Sequence, residues 1–153
     1  MRSLVRSITI AALLAGSGPA AAQVPQAPTG PERQLPSSVL GVFRSAYPNA
    51  TITGAEQERQ DRRIVFRIEC QDGPRRRALV YALDGAVVES AEQVNESELP
   101  ESVRASMRSH RRVIFVRGMK VTRGTTVEYD LTVRGTRKTR MILKPDGTVV
   151  SFR

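Results

Sequence analysis

The chain holds one cysteine, one histidine and no tryptophan in 153 residues, and aromatics make up only 5% of it. A lone thiol, Cys70, cannot close an internal disulfide, so the fold must hold by burial. One His and one Cys leave zinc without enough ligands, and no metal or other cofactor is expected. A Cys–His nucleophile pair would have to be Cys70 with His110. Cys70 has the parity of an inward strand position and His110 falls on a helix stripe, which argues against the pair. No GxGxxG or phosphate-binding loop occurs. Asp84-Gly85 and Asp146-Gly147 lack the run of oxygen ligands that calcium needs, and read as hairpin turns. No catalytic constellation emerges, and a non-enzyme is expected.

Long apolar runs are missing too. The run from Ile8 to Leu14 is far shorter than the roughly 20 residues a membrane-spanning helix needs. Arg2 and Arg6 precede it, and Ala20-Ala21-Ala22 follows with the small-x-small form of a cleavage site. This pattern predicts a secretory signal peptide over 1–22, cleaved near Ala22, and a periplasmic or secreted protein with no transmembrane segment after cleavage. Residues 23–34 hold three prolines and no core face, and read as a linker.

What remains says nearly the same thing twice, about 62 to 64 residues apart. Leu35-Pro36-Ser37-Ser38-Val39 returns as Leu99-Pro100-Glu101-Ser102-Val103, and Asp84-Gly85-Ala86-Val87-Val88 as Asp146-Gly147-Thr148-Val149-Val150. Val39, Leu40, Phe43, Ala46 and Tyr47 form an apolar stripe at helical spacing, which Pro48 ends. Val103, Met107 and His110 form its counterpart. The period then changes to two: Ile64, Phe66, Ile68 and Cys70 alternate with Val65, Arg67 and Glu69, as Val127, Tyr129, Leu131 and Val133 alternate with Glu128, Asp130 and Thr132. Such alternation marks antiparallel strands with one face on a core and one toward water. The pattern predicts an α+β fold of two tandem helix-plus-antiparallel-strand repeats, 35–98 and 99–153, with the helices packed on one face of the sheet. Placing Phe66 opposite Leu79 and Tyr129 opposite Met141 sets Glu69 against Arg76 and Asp130 against Arg140.

The Leu-Pro-x-x-Val start, the alternating aromatic strand and the Asp-Gly-x-Val-Val turn, each present twice behind a signal peptide, resemble the PepSY-like family of small exported bacterial proteins. That family is also described as similar to β-lactamase inhibitory proteins. The resemblance covers about Leu35 to Arg153. It implies tandem helix-plus-sheet units outside the cytoplasm that bind a protein, such as a peptidase or other hydrolase, on an open sheet face. It carries no catalytic motif. The strong positive charge departs from a typical member.

That charge is uneven. Residues 35–98 hold eight Arg and Lys against ten Asp and Glu, whereas residues 99–153 hold thirteen against four, so the halves stand near −2 and +9. The asymmetry points to an acidic partner for the second half. By parity the water-facing strand positions are Arg67, Glu69, Arg76 and Val80 in the first half, and Glu128, Asp130, Lys138, Arg140 and Ile142 in the second. They form the candidate partner-binding surface, with Val80 and Ile142 as matched aliphatic centres. A protein partner is the leading expectation. The first alternative is an anionic envelope polymer or acidic protein held by the second half. The other is an enzyme using carboxylates such as Glu128 and Asp130. Nucleic acid is not expected, because the aromatics read as core and leave none for base stacking.

Overall fold

A computed structural model describes residues 30–110 and 113–153. The expected signal peptide, most of the linker, Arg111 and Arg112 lie outside the described residues.

Two helices are present, α1 (Ser37–Ala46) and α2 (Glu101–Ser109). Each follows a proline, Pro36 or Pro100, whose extended ψ near 147° places it just outside the first turn. Tyr47 leaves helical geometry at φ −133°, as the following Pro48 requires. A short 3-10 helix, Gly30–Gln34, precedes α1, and its Glu32 carboxylate accepts the Arg44 guanidinium.

The strands are β1 (Thr51–Gln60), β2 (Arg63–Asp72), β3 (Arg75–Ala82), β4 (Val87–Val94), β5 (Ile114–Arg123), β6 (Thr126–Arg134), β7 (Lys138–Leu143) and β8 (Val149–Phe152). They form a single antiparallel sheet in sequence order. This corrects the expected α+β fold of two tandem helix-plus-strand repeats. Strand dominates, with elements of up to ten residues against two helices of ten and nine. The sheet also does not stop between the halves. β4 pairs with β5 from Glu89↔Arg123 to Val94↔Gly118, so one ladder runs through the whole molecule. Sequence alternation reports which face a residue takes but not whether an edge is paired, and the ladder across residues 95–113 is a long-range fact.

The expected register is corrected as well, by two residues. Phe66 faces Tyr81 and Ile68 faces Leu79; Tyr129 faces Leu143 and Leu131 faces Met141. A slip of two preserves every residue's face, so the inward stripe is as expected while its opposite numbers differ. Glu69 lies opposite Ala78 rather than Arg76, and Asp130 opposite Ile142 rather than Arg140.

Burial on the helix side divides in two. Val39 and Phe43 of α1 pack on Ile52, Phe66, Ile68, Cys70, Leu79 and Tyr81. Val103 and Met107 of α2 pack on Tyr129, Leu131, Val133, Met141 and Leu143. Between them runs a polar seam of Arg77, Ser90, Glu92, Lys120 and Thr122. There Arg77 bonds Asp72 at 3.0 Å and Glu92 at 3.1 Å, and its guanidinium lies 5.3 Å from the Tyr47 ring centre. Cys70 is buried, and burial pushes its thiol pKa up, which fits a small core hydrophobe. His110 ends α2, its Nδ1 3.0 Å from the Ser106 carbonyl oxygen and its ring stacked on Phe152.

The two Asp-Gly turns tie the sheet to the helices in the same way. Ser38 Oγ donates to the Leu83 carbonyl at 2.9 Å, and Ser102 Oγ to that of Pro145 at 2.5 Å. Asp84 and Asp146 each accept a backbone N–H two residues on, from Ala86 and Thr148. This closes an Asx turn and leaves the carboxylate committed to the loop. The Thr148 N–H holds the Asp146 carboxyl below its ordinary pKa.

Candidate functional site

With both helices on one side, the other side of the sheet is open. Its residues are fixed by the ladder in rows that run across the strands. One row reads Glu56, Arg67, Val80, Glu89 and Arg123 along β1 to β5. Arg67 Nε donates to Glu58 Oε1 at 2.5 Å, which holds the Glu58 carboxyl below its ordinary pKa. Arg123 bridges Glu89 at 2.6 Å and Glu128 at 3.1 Å. Val80, in the middle of this row, is fully buried. That corrects its expected place as an exposed aliphatic centre. Parity put it on the right face, but the flanking Arg67 and Glu89 side chains are long, and aliphatic stems of this kind cover small neighbours. Val65, Ala91 and Val121 are buried on the same face. The open face is therefore a thin apolar layer under a mesh of paired charges.

The other expected residues are distributed as follows. Glu69 and Arg76 are exposed on the open face, separated by one register step. Asp130 and Arg140, although not directly opposite, meet diagonally: Arg140 Nε donates to Oδ1 at 2.8 Å and Nη2 to Oδ2 at 2.5 Å. Ile142 is half-buried, and Lys138 is exposed at the start of β7. Glu128 is taken by Arg123 and Asp130 by Arg140, so the two carboxylates suggested for acid–base chemistry are both in ion pairs. No group of three or more potential metal ligands occurs among the described residues.

The Arg140–Asp130 pair is well formed but exposed, with the arginine side chain 63% accessible. Its expected contribution to stability is small: Arg140→Ala should cost about 1 kcal/mol or less in urea unfolding. A larger loss would mean that this pair holds the sheet together rather than lying on its surface.

Arg117 and Arg153 also belong to this surface, in segments whose faces the sequence pattern leaves unassigned. β5 carries a bulge between Phe115 and Arg117. Phe115 packs against the α2 core, yet Arg117, two residues on, faces the open side opposite Thr132. The extra residue reverses the alternation, which is what a bulge does to the side chains beyond it. Gly118 fits the same device. A Cβ there would stand 2.9 Å from Leu131 and 3.1 Å from the Phe115 ring, so the ring lies over the bare backbone. Arg153 joins because its backbone exchanges hydrogen bonds with that of Arg140, at 2.7 and 2.9 Å. A groove of about 520 Å³ lies here, lined by Arg117, Met119, Asp130, Lys138, Arg140 and Arg153 among others. A second groove of about 440 Å³, with Glu69, Arg76 and Ala78, shares the wall made by Arg117 and Met119. A cleft of about 1000 Å³ opens at the other end of the first half, beside the β1–β2 turn. It is lined by the exposed aliphatics Ile64, Leu83 and Val88. Asp61 and Arg62 in that turn both have positive φ.

Solved structures share this fold. A protein from Bacteroides eggerthii, described as periplasmic, superposes with a TM-score of 0.64 at 16% identity, covering 78% of this chain and 88% of its own. A BLIP-like protein from Bacteroides fragilis gives 0.58 at 15%, covering 78% and 85%. A DUF2874 family protein from Bacteroides uniformis gives 0.62 at 13%, covering 77% and 88%. The chain has the fold of these BLIP-like and DUF2874 proteins. No protein-family model matches it, and no curated protein matches it.

Proposed function

We propose that this chain is an exported, non-enzymatic binding module that docks a protein partner on the open face of its sheet, in the manner the PepSY-like resemblance implies. The observation that carries the reading is the one-sided placement of the helices. An eight-stranded sheet leaves a whole face free, and that face offers small buried aliphatics under paired charges. A mixed surface of this kind suits a protein more than a small substrate. The grooves over it are lined by charged side chains, and the carboxylates suggested for catalysis are each held by an arginine, Glu128 by Arg123 and Asp130 by Arg140. The periplasmic description of the Bacteroides eggerthii protein of the same fold, and the signal-peptide pattern at the N-terminus, support a place outside the cytoplasm. A peptidase or other hydrolase, inhibited or regulated, is the partner class the resemblance favours.

The test is affinity capture from the envelope of the producing cell, with the wild-type chain and with Lys138→Glu/Arg140→Glu. The wild type should retain a specific protein that the double variant loses, while the double variant stays folded and unfolds in urea with a loss of only about 1–2 kcal/mol. Retention of the same protein by both forms, or of none by either, contradicts this reading.

The alternative, adhesion of the basic second half to an anionic polymer, has its own mark: binding that falls steeply with salt and needs no protein.

A further inference from the structure

The ladder places three arginines in one line. Arg117 on β5 faces Thr132 on β6, Thr132 faces Arg140 on β7, and Arg140 pairs with Arg153 at the end of the chain. Adjacent strands lie about 4.8 Å apart, so the row spans roughly 14 Å across the open face. The matching row in the first half reads Gly54, Glu69, Ala78 and Ala91, with no cation in it. This row alone differs by four charges between the halves, three arginines against one glutamate, out of the eleven that separate them.

Each arginine of the row is tethered through Nε. Arg117 Nε donates to Thr132 Oγ1 at 3.3 Å, Arg140 Nε to Asp130 Oδ1, and Arg153 Nε to Ser151 Oγ at 3.1 Å. The terminal nitrogens of Arg117 and Arg153 have no partner among the described residues, and Arg140 keeps Nη1. Lys138 stands beside them in the same groove, without a carboxylate partner among the described residues. By contrast, Arg67, Arg75, Arg77 and Arg123 on the neighbouring strands are all spent on glutamates or aspartates of this chain.

We propose that this arginine row, with Lys138, is the seat for an acidic, carboxylate-bearing stretch of a protein partner. The proposal rests on the reading of the open face as a docking surface and names the chemistry that face selects. A fork of guanidinium donors held by Nε is preorganised for carboxylates, so less side-chain freedom is lost on binding. Same-face side chains of an extended peptide recur about every 6.8 Å, so the row's span of roughly 14 Å covers about two such repeats. Met119, Ala78 and Ile142 adjoin the row and supply apolar contact that a polypeptide can use. No aromatic ring among the described core clusters turns toward this face for base stacking.

The experiment measures binding of fluorescein-labelled decaglutamate to the full chain by anisotropy at low salt. Three charge-changed forms are compared with the wild type. Arg117→Glu/Lys138→Glu and the milder Arg117→Gln/Lys138→Gln alter the seat. Arg59→Glu/Lys144→Glu changes net charge by as much as the first, away from the groove. Urea midpoints establish that each form folds. The seat variants should weaken binding by about tenfold or more, equivalent to about 1.4 kcal/mol, while the distant variant stays within about threefold of wild type. Equal losses in the seat and distant variants overturn the proposal, as does no loss in any. Tighter retention of inorganic polyphosphate of equal charge overturns it in favour of a polymer site. Envelope capture separates the two levels of the argument. A protein lost by Lys138→Glu/Arg140→Glu but still held by Arg117→Glu/Lys138→Glu removes the row-wide acidic seat and leaves docking intact. Capture of nothing by any form removes the docking reading itself.

Discussion

Replacing Gly147 by alanine should destabilise the protein by about 2–4 kcal/mol, because two costs act at once. Gly147 has φ +87°, and a Cβ there would lie 2.6 Å from the Ser102 carbonyl oxygen and 3.0 Å from its carbon. The obstructing atoms are backbone in the first turn of α2, so the turn cannot close without moving the helix off the Met107–Leu131–Met141 core. Two other turn glycines separate the two costs. Gly73 has φ +56° and open space around it, so Gly73→Ala meets only the backbone cost of about 1–2 kcal/mol. Gly85 has φ +88° and would press on Val42 Cγ2 at 2.9 Å, a half-exposed side chain that yields more readily than backbone. The expected order of destabilisation is Gly147→Ala, then Gly85→Ala, then Gly73→Ala, read as urea midpoints at constant slope. Equal losses at all three would show that the turn does not seat on α2.

The second large effect is alkaline. Tyr81 is only 1% exposed in the first core, and burial pushes its phenol pKa up to about 12, with Tyr47 nearby adding to the rise. In the unfolded chain the phenol ionises near its ordinary value of about 10. Below that pH both states hold the proton and Tyr81 contributes no pH dependence. Between about pH 10 and 12 the unfolded state has released the proton and the native state has not, so stability falls as pH rises. Each tenfold difference in proton affinity is worth about 1.4 kcal/mol, so about 2–3 kcal/mol is lost across that window. Tyr81→Phe should remove this part of the alkaline decline, measured as the difference between the two proteins' unfolding free energies at about pH 9 and about pH 11.5. Parallel profiles for the two proteins would contradict the burial of the phenol.

Local physics made much of this molecule readable in advance. Helix starts at Pro36 and Pro100, the stop at Pro48, the inward stripes of β2 and β6 and the Asp-Gly turns all depend on neighbours within a few residues, and each stands where the sequence pattern predicts it. Three things depend on distant partners and were not readable. Opposite numbers across the hairpins shifted by two because parity constrains faces, not register. The pairing of β4 with β5 turns the halves into one strand-dominated sheet, where tandem helix-plus-strand repeats were expected. Val80 is fully buried on the open face, a matter of its surroundings that alternation cannot see.

The candidate surface was legible in the same proportion. Arg140, Lys138 and Asp130 were placed correctly on the open face, and the expected contact between Asp130 and Arg140 exists as a diagonal pair. Arg117 lies on a strand whose faces the sequence pattern does not assign, and the bulge after Phe115 inverts any parity carried forward from that ring. One signal did point there: Gly118, a residue that weakens a strand interior and often marks a bulge or a close approach. Arg153 was missed because a chain's last residue gives no periodicity to read.

The central claim is that the open face, not the helix face, meets the partner. Met119 and Lys120 are adjacent in β5 and point to opposite sides of the sheet. A photo-crosslinking residue placed at each in turn, in the producing cell, reads the two faces separately at one strand position. Docking on the open face predicts a protein adduct from position 119 and none from position 120. An adduct from 120 alone, or from neither, would contradict it.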